Sequence, residues 1–157
     1  MKNIKAIIFD AYGTLFDVNS AAESCKDKIG DKWENFANYW RTTQLEYTWL
    51  RSLMKRHKDF WQITEDSLDK SMKAFNINYS MRSELLNLYK VLSPFKEVPE
   101  TLKVLKENNY KIAILSNGTP SLLNDLVRSN NLKNLFDDIF SIEEVGIYKP
   151  VSKVYNI

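Results

Sequence analysis

The stretch Lys5-Ala6-Ile7-Ile8-Phe9-Asp10-Ala11-Tyr12-Gly13-Thr14-Leu15 carries the first evidence for the fold. Its apolar run is short and unbroken, which is typical of a strand buried on both faces of a parallel sheet covered by helices. The run ends at Asp10, and Gly13 supplies a turn. Similar runs predict a second strand at Lys111–Ser116 and a short third strand at residues 139–140. The sequence therefore predicts an α/β fold with about three parallel strands.

Residues 17–92, called the insertion below, have a different pattern because their apolar side chains recur at helical spacing. Thr64 is predicted to cap the second of three helices. The apolar side chains predicted to face the core from these helices are Phe36, Trp40, Tyr47, Leu50, Met54, Leu68, Met72, Phe75, Leu85, Leu88, Tyr89 and Leu92. Further helices are predicted around Pro99, after Pro120 and from Val151. The chain is therefore divided into an incomplete Rossmann-like core, residues 1–16 and 93–157, and an inserted helical cap, residues 17–92.

Composition excludes several classes of protein. The 157 residues have a formal net charge of +2 and show no basic cluster, which argues against a nucleic-acid-binding surface. With one cysteine, Cys25, and one histidine, the chain cannot form an intrachain disulfide or a cysteine-rich or histidine-rich metal site. No apolar stretch reaches the length of a signal-peptide core or a membrane span. We therefore expect a cytoplasmic protein that binds neither nucleic acid nor membranes, and we assign no function to His57, which lies in a solvated run of charges.

Polar side chains follow the predicted strands where each strand ends. Asp10 follows the first strand, Ser116 and Asn117 end the second, and Lys149 lies just beyond the third. Ligands of open parallel sheets bind at the carboxyl ends of the strands. We therefore expect these four side chains to form one site.

Several segments resemble motifs of a known superfamily. Asp10-Ala11-Tyr12-Gly13-Thr14-Leu15 resembles the nucleophile loop of the haloacid dehalogenase superfamily, Ser116-Asn117-Gly118 resembles its second motif, and Lys149-Pro150 its third. Within the superfamily, the loop and the sequence Arg-Thr-Thr-Gln-Leu-Glu-Tyr-Thr at residues 41–48 resemble the L-2-haloacid dehalogenases. The motifs occur in the right order around a helical insertion, which makes the match specific. The resemblance covers essentially the whole chain.

The resemblance implies a hydrolase that converts an L-2-haloacid to a D-2-hydroxy acid with neither cofactor nor metal. Asp10 would attack the carbon that bears the halogen and form an aspartyl ester, which water then hydrolyses. Lys149 would keep the buried Asp10 carboxylate charged. Ser116 and peptide N–H groups after Asp10 would hold the substrate carboxylate or the developing oxyanion. Asn117 and Arg41 would receive the halide, although Arg41 could also be an ordinary solvated helix charge.

The resemblance also implies a substrate pocket. The residues expected to line it are Ala11, Tyr12, Leu45 and Phe60. Trp61 is an alternative to Phe60, and packing inside the insertion is the alternative role of both. Thr14 is expected to hydrogen-bond near Asp10 or to stabilise the turn locally. By analogy, two chains are expected to form a homodimer through the insertion.

Tyr12 separates two reaction classes within the superfamily. Phosphatases of the superfamily have a second Asp at this position, which serves the leaving group of the phosphate ester and supports Mg²⁺. A halide needs no proton to depart, so Tyr12 favours displacement at carbon. A Mg²⁺-dependent phosphatase remains an alternative, and a binding protein of this fold without catalytic activity is another.

The resemblance stops before the family's fourth motif, which contributes an acidic residue and an Asn. In the family, a further strand lies beside the strand that bears the nucleophile, so the backbone of Ile7, Ile8 and Phe9 is expected to be unpaired on that side. We therefore expect the sequence to be a fragment of a longer protein, which leaves open whether it is active in this form. The alternative is that another chain completes the sheet.

Overall fold

The computed structural model describes residues 4–156. These residues form three strands, β1 (Ala6–Phe9), β2 (Lys111–Ser116) and β3 (Asp138–Ser141). All pairings are parallel and the strand order is β1-β2-β3. This arrangement confirms the parallel α/β fold predicted from the apolar runs.

Seven α-helices and several 3₁₀ turns connect and cover the strands in the described residues. The helices are α1 (Ser20–Glu23), α2 (Lys26–Ile29), α3 (Trp33–Leu53), α4 (Phe60–Ala74), α5 (Arg82–Tyr89), α6 (Val98–Glu107) and α7 (Pro120–Ser129). The helix predicted from Val151 is only a 3₁₀ turn, Ser152–Tyr155. Within residues 4–156, no helix has both the length and the apolar character required to cross a membrane.

The prediction that both faces of β1 are buried is wrong. Ile8 is 59% exposed, whereas Ile112 and Ile114 of β2 are fully buried. The reason is topological, because β1 is at the edge of the sheet in the described part of the chain and β2 is in the middle. The unbroken apolar run therefore predicts the position of the strand correctly, but it does not predict how much of the strand is buried.

The N-cap of α4 differs from the prediction. The cap is Asp59, whose Oδ1 accepts a hydrogen bond of 2.8 Å from the backbone N–H of Gln62. Thr64 lies inside the helix, where its hydroxyl donates to the Phe60 carbonyl at 2.8 Å. The predicted Thr64 cap is therefore wrong, and α4 begins one turn earlier than expected.

The buried face of α3 changes character along the helix. Phe36 and Trp40 are buried as predicted, but Leu50 and Met54 are about half exposed at 50% and 53%. The buried stripe continues instead through Thr43, Gln44 and Thr48, which maintain helical spacing from Trp40. Apolar spacing alone could not identify this stripe, because its second half is polar.

The two ends of the insertion lie side by side. Asp17 N–H donates to the Ser93 carbonyl at 2.8 Å, and Phe95 N–H donates to the Leu15 carbonyl at 3.1 Å. Phe16 and Pro94 form an antiparallel bridge between the same two segments. The chain therefore leaves the core and returns to it at one point.

Candidate active site

Asp10 and Lys149 form an ion pair at the carboxyl ends of β1 and β2. Lys149 Nζ donates to Asp10 Oδ1 at 2.6 Å and to the Leu115 carbonyl at 2.9 Å. The Asp10 side chain is 39% exposed, so the expectation that it is buried is wrong. The reason is the edge position of β1, which leaves one side of its end uncovered in the described residues.

The Ser116-Asn117-Gly118 turn holds the loop that carries Lys149. Asn117 Oδ1 accepts the backbone N–H of Lys149 at 3.0 Å. Ser116 Oγ is buried and accepts the Gly118 N–H at 3.2 Å, while Ser141 Oγ donates to the Gly118 carbonyl at 2.7 Å. Asn117 thus fixes the backbone from which Lys149 extends, whereas the contact of the Ser116 side chain lies within its own turn.

The loop after Asp10 is a compact turn. The Ala11 carbonyl accepts N–H donors from Leu15 at 2.9 Å and Phe16 at 3.0 Å, and Gly13 N–H donates to Phe16 O at 2.8 Å. The N–H groups of Ala11 and Tyr12 are not used in these turns. Thr14 is exposed, and its hydroxyl makes no hydrogen bond within residues 4–156. The expected side-chain contact of Thr14 near Asp10 is therefore not observed.

Tyr12 fills the space between the loop and the insertion. Its ring packs on Phe60 and Tyr89, with ring centroids 5.0 and 5.7 Å apart. Gly118 lies directly beside it, since a Cβ at that position would be 2.7 Å from Tyr12 Cε2. Burial raises the pKa of the Tyr12 phenol well above its usual value. Tyr12 therefore contributes a neutral aromatic wall and no general base.

Arg41 reaches from α3 to the nucleophile loop. Its Nη2 donates to the Tyr12 carbonyl at 2.9 Å, and its Nη1 donates to Gln44 Oε1 at 2.9 Å. Within residues 4–156 no carboxylate forms a salt bridge with this guanidinium. The alternative interpretation of Arg41 as a solvated helix charge does not fit this position. Leu45, one turn further along α3, is half-buried.

The two aromatic candidates at the start of α4 have different surroundings. Phe60 is buried between Tyr12 and Tyr148. Trp61 is partly exposed, and the Lys90 ammonium lies 4.8 Å from the centroid of its ring. Of the two, Phe60 is the residue in contact with the nucleophile loop.

A cavity of about 290 Å³ adjoins the Asp10–Lys149 pair. Its lining consists of Ile8, Phe9, Asp10, Leu115, Lys149 and Tyr155. Tyr155, in the 3₁₀ turn after Val151, is 56% exposed and borders the cavity. The sequence offered one signal for this position, since the phenol of Tyr155 comes six residues after Lys149. Tyr155 is therefore a site residue that the sequence analysis missed.

The insertion is attached to the loop that leads to Lys149. Glu143 Oε2 lies 3.0 Å from His57 Nε2, and Glu143 Oε1 accepts the Phe60 N–H at 3.1 Å. The Tyr148 hydroxyl donates to the Lys58 carbonyl, and Tyr148 N–H donates to Ser52 Oγ at 3.2 Å. The interpretation of His57 as a solvated charge is therefore wrong, because a carboxylate from the core covers it.

Comparisons with known proteins agree with this arrangement. Residues 4–156 match the model of the haloacid dehalogenase-like hydrolases. The chain is 42% identical over its full length to an (S)-2-haloacid dehalogenase of Pseudomonas sp. strain YL, of which the match covers 68%. It is 37% identical over 98% of its length to (S)-2-haloacid dehalogenase 4A of Burkholderia cepacia, covering 67% of that protein.

A solved structure is similar over nearly the same range. The L-2-haloacid dehalogenase of Xanthobacter autotrophicus with covalently bound chloropropionic acid aligns with a TM-score of 0.88 and 36% identity. The alignment covers 98% of the present chain and 63% of that structure. The likeness therefore includes the strands, the insertion and the loops that carry the candidate site.

Proposed function

The chain belongs to the haloacid dehalogenase-like hydrolases, and on that premise we propose that it hydrolyses an L-2-haloacid to the D-2-hydroxy acid with Asp10 as the nucleophile. Relatives named (S)-2-haloacid dehalogenase match almost the entire chain, at 42% and 37% identity for two of them. The Xanthobacter autotrophicus relative was solved with chloropropionic acid covalently bound, which supports a covalent intermediate. The substrate class is therefore small 2-haloacids.

The reaction has two steps. First, an Asp10 carboxylate oxygen forms a bond to the 2-carbon from the side opposite the halogen, and the carbon–halogen bond breaks with its electron pair going to the halide. Second, a water oxygen attacks Asp10 Cγ, and the bond between Cγ and the ester oxygen breaks. The products are an inverted 2-hydroxy acid, a halide ion and one proton. The solvent oxygen remains on Asp10.

The observation that carries the proposal is the 2.6 Å contact between Lys149 Nζ and Asp10 Oδ1. A nucleophilic carboxylate must stay ionised, and an adjacent ammonium favours the ionised form. The same ammonium is anchored on Leu115, so it has a fixed position beside the attacking oxygen.

The departing halide, the substrate carboxylate and the oxyanion are negatively charged, so the site needs hydrogen-bond donors to bind them. Arg41 has no carboxylate partner in the described residues and donates from α3 to the Tyr12 carbonyl of the nucleophile loop. These two observations support a role in receiving the halide together with Asn117. Ser116 lies at the end of β2 and, with the N–H groups of Ala11 and Tyr12, is assigned to the substrate carboxylate or the oxyanion. Leu45, Phe60 and Tyr12 supply apolar walls.

Tyr12 distinguishes this reaction from phosphoryl transfer. A phosphatase needs an acid for its leaving group, and a buried phenol whose pKa is raised is a poor proton donor at neutral pH. Halide departure needs no proton. This observation favours displacement at carbon over the Mg²⁺-dependent phosphatase.

Two organisational features complete the proposal. Residues 1–16 and 93–157 are assigned to the core domain, and residues 17–92 to a cap domain. A homodimer through the cap is supported by exposed apolar side chains on α3, since Trp49 and Leu50 are each 50% exposed and Leu53 is 79% exposed. Sedimentation of the Leu53→Glu variant tests the dimer, which this charge is expected to dissociate.

The chemistry is tested with L-2-chloropropionate in the absence of added metal. The expected result is release of chloride and D-lactate. After a single turnover in ¹⁸O-labelled water, the peptide that contains Asp10 should gain one heavy oxygen. Phosphate release from a generic ester that requires Mg²⁺, without chloride release, would support the phosphatase instead. No label on Asp10 and neither product would support a binding protein.

A further inference from the structure

Gln44 is a buried amide with a complete set of hydrogen bonds. The residue is 1% exposed. Its Nε2 lies 2.7 Å from Thr64 Oγ1 and 3.0 Å from the Tyr89 hydroxyl, and its Oε1 accepts the Tyr89 hydroxyl at 3.2 Å and Arg41 Nη1 at 2.9 Å. A fully satisfied buried network of this kind holds its members in one geometry. Gln44 thus links the Arg41 guanidinium to α4 and α5.

The network reaches the nucleophile loop through Arg41. The guanidinium is held on one side by the Gln44 side chain and on the other by the Tyr12 carbonyl. The planar fork of the guanidinium allows both contacts at once. Arg41 therefore cannot turn away from the loop without breaking a hydrogen bond to a buried group, which costs about 1–3 kcal/mol.

Both groups that hold Arg41 are electrically neutral. An amide oxygen and a peptide carbonyl orient a guanidinium without cancelling its positive charge. Arginines in protein interiors are usually paired with carboxylates, but none pairs with Arg41 in the part of the chain that the structure describes. Gln44 and Tyr89, which lie beside the guanidinium, are both buried, so this side of Arg41 packs against protein.

From these contacts we infer that Gln44 is a positioning residue that fixes Arg41 and, because it is neutral, leaves the positive charge of Arg41 free to bind an anion. This inference rests on the proposed function, in which Arg41 receives the halide. It adds that the charge at position 44 sets the anion affinity of the site. A glutamate there would have the same shape and would keep the hydrogen bond to Arg41, but it would neutralise the guanidinium.

The Gln44→Glu variant separates charge from shape. The Tyr89 and Thr64 hydroxyls can both turn to donate to the new carboxylate, so three donors surround it. Gln62→Glu is the matched control, since Gln62 lies on α4 and its amide contacts Asp66 and not Arg41. Bromide binding is measured through the rise in unfolding temperature during a bromide titration at constant ionic strength. This readout does not depend on turnover.

The wild type and Gln62→Glu are expected to bind bromide equally. Gln44→Glu is expected to bind it about tenfold or more weakly, because an adjacent opposite charge offsets that of Arg41. Arg41→Met should show no saturable effect. If Gln44→Glu bound bromide as tightly as the wild type while Arg41→Met did not bind it, the role of Gln44 would be overturned and the halide role of Arg41 would stand. Unchanged binding in Arg41→Met would overturn this inference and the proposed halide role of Arg41 together.

Gln44→Met keeps the inference testable if a buried glutamate prevents folding. Methionine carries no charge, so Arg41 remains uncompensated but is held by one hydrogen bond fewer. Bromide affinity is expected to fall only about threefold, since packing is conserved. Loss of bromide binding as complete as in Arg41→Met would show that position 44 acts through structure and would overturn the electrostatic inference.

Discussion

Lys149 Nζ lies 2.6 Å from Asp10 Oδ1, although 139 positions separate the two residues in the chain. The contact joins the end of β1 to the loop beyond β3, and the Leu115 carbonyl of β2 holds the same ammonium. The three strands therefore converge on one pair of charges. In the proposed reaction, this pair fixes the position of the attacking oxygen.

Replacing Lys149 with methionine tests the pair. The variant is expected to lose about a hundredfold or more in the rate of halide release, because Asp10 no longer has a preorganised cation beside it. Lys149→Arg retains the charge and should be less impaired, although the larger fork cannot reproduce the contacts to Asp10 and Leu115 together. Both rates are measured with L-2-chloropropionate. Equal activity of Lys149→Met and the wild type would contradict the role of the pair.

Gly118 is predicted to be required for space. In Gly118→Ala the new methyl group would overlap Tyr12 Cε2, so the ring must move, at a cost of about 1–3 kcal/mol in the free energy of unfolding. Activity should fall as well, since Tyr12 is proposed to form an apolar wall of the substrate site. Gly30→Ala is the control. Its φ of +76° is strained for alanine, but nothing lies within 4 Å, so we expect a loss of about 1 kcal/mol and normal activity. Urea unfolding measures both losses, and the rate of halide release distinguishes the two variants.

Glu143 is predicted to keep the insertion attached to the core. Glu143→Ala leaves the Phe60 N–H and the His57 ring without their acceptor, which should lower the free energy of unfolding by about 1–3 kcal/mol. Hydrogen exchange should accelerate at residues 57–60. Glu144, the exposed neighbour, provides the control, and Glu144→Ala is expected to change stability by no more than about 0.5 kcal/mol. Similar exchange rates in both variants would contradict the conclusion that Glu143 holds the insertion on the core.

Asp137 gives a prediction for pH dependence. The Lys106 ammonium at 2.7 Å, the Ile112 N–H at 2.8 Å and the Lys111 ammonium at 3.1 Å hold the pKa of its carboxyl well below the ordinary value of 3.8. Because the folded pKa is the lower one, the ionised carboxylate stabilises the fold fully above the unfolded pKa, and this contribution is lost as the pH falls towards the folded pKa.

Asp137→Asn should therefore be less stable than the wild type at neutral pH. The difference in unfolding free energy should stay constant down to about pH 5 and shrink below about pH 4. Urea titrations across this range provide the measurement. A difference that grows on acidification would contradict the assignment.

The sheet and the nucleophile loop were predictable because local signals determine them. An apolar run followed by Asp10 needs no distant partner to be recognised as a strand and a strand end. The end of β2 is equally local, since Ser116 follows a similar run. The expected gathering of Asp10, Ser116, Asn117 and Lys149 follows from the geometry of parallel sheets, in which these ends lie at one edge.

The α4 cap was missed although its signal is local. Asp59 is followed three residues later by Gln62, a spacing typical of a helix start. Thr64 is followed by Glu65 and Asp66, which also fits a helix start, but its hydroxyl serves the Gln44 network inside the helix. A side chain suited to capping can thus be used for a tertiary contact, and the sequence alone does not show which use applies.

Gln44 and His57 were missed or misjudged for another reason. Each takes its importance from a partner far away in the chain, such as Glu143 for His57. Periodicity detects apolar stripes, and the polar half of the α3 stripe gives no such signal. Contacts of this kind appear only when the packing of the helices on one another and on the core is known.

The joined ends of the insertion have a consequence for modularity. The backbone N–H of Asp17 donates to the Ser93 carbonyl, so the two points at which the insertion joins the core are as close as two paired antiparallel strands. This separation does not depend on the length of the insertion. Residues of the insertion that contact neither the nucleophile loop nor Glu143 and Tyr148 can therefore change in number without moving Asp10 or Lys149. Substrate preference can diversify through such changes, whereas Arg41, which the proposed displacement also needs, must be kept.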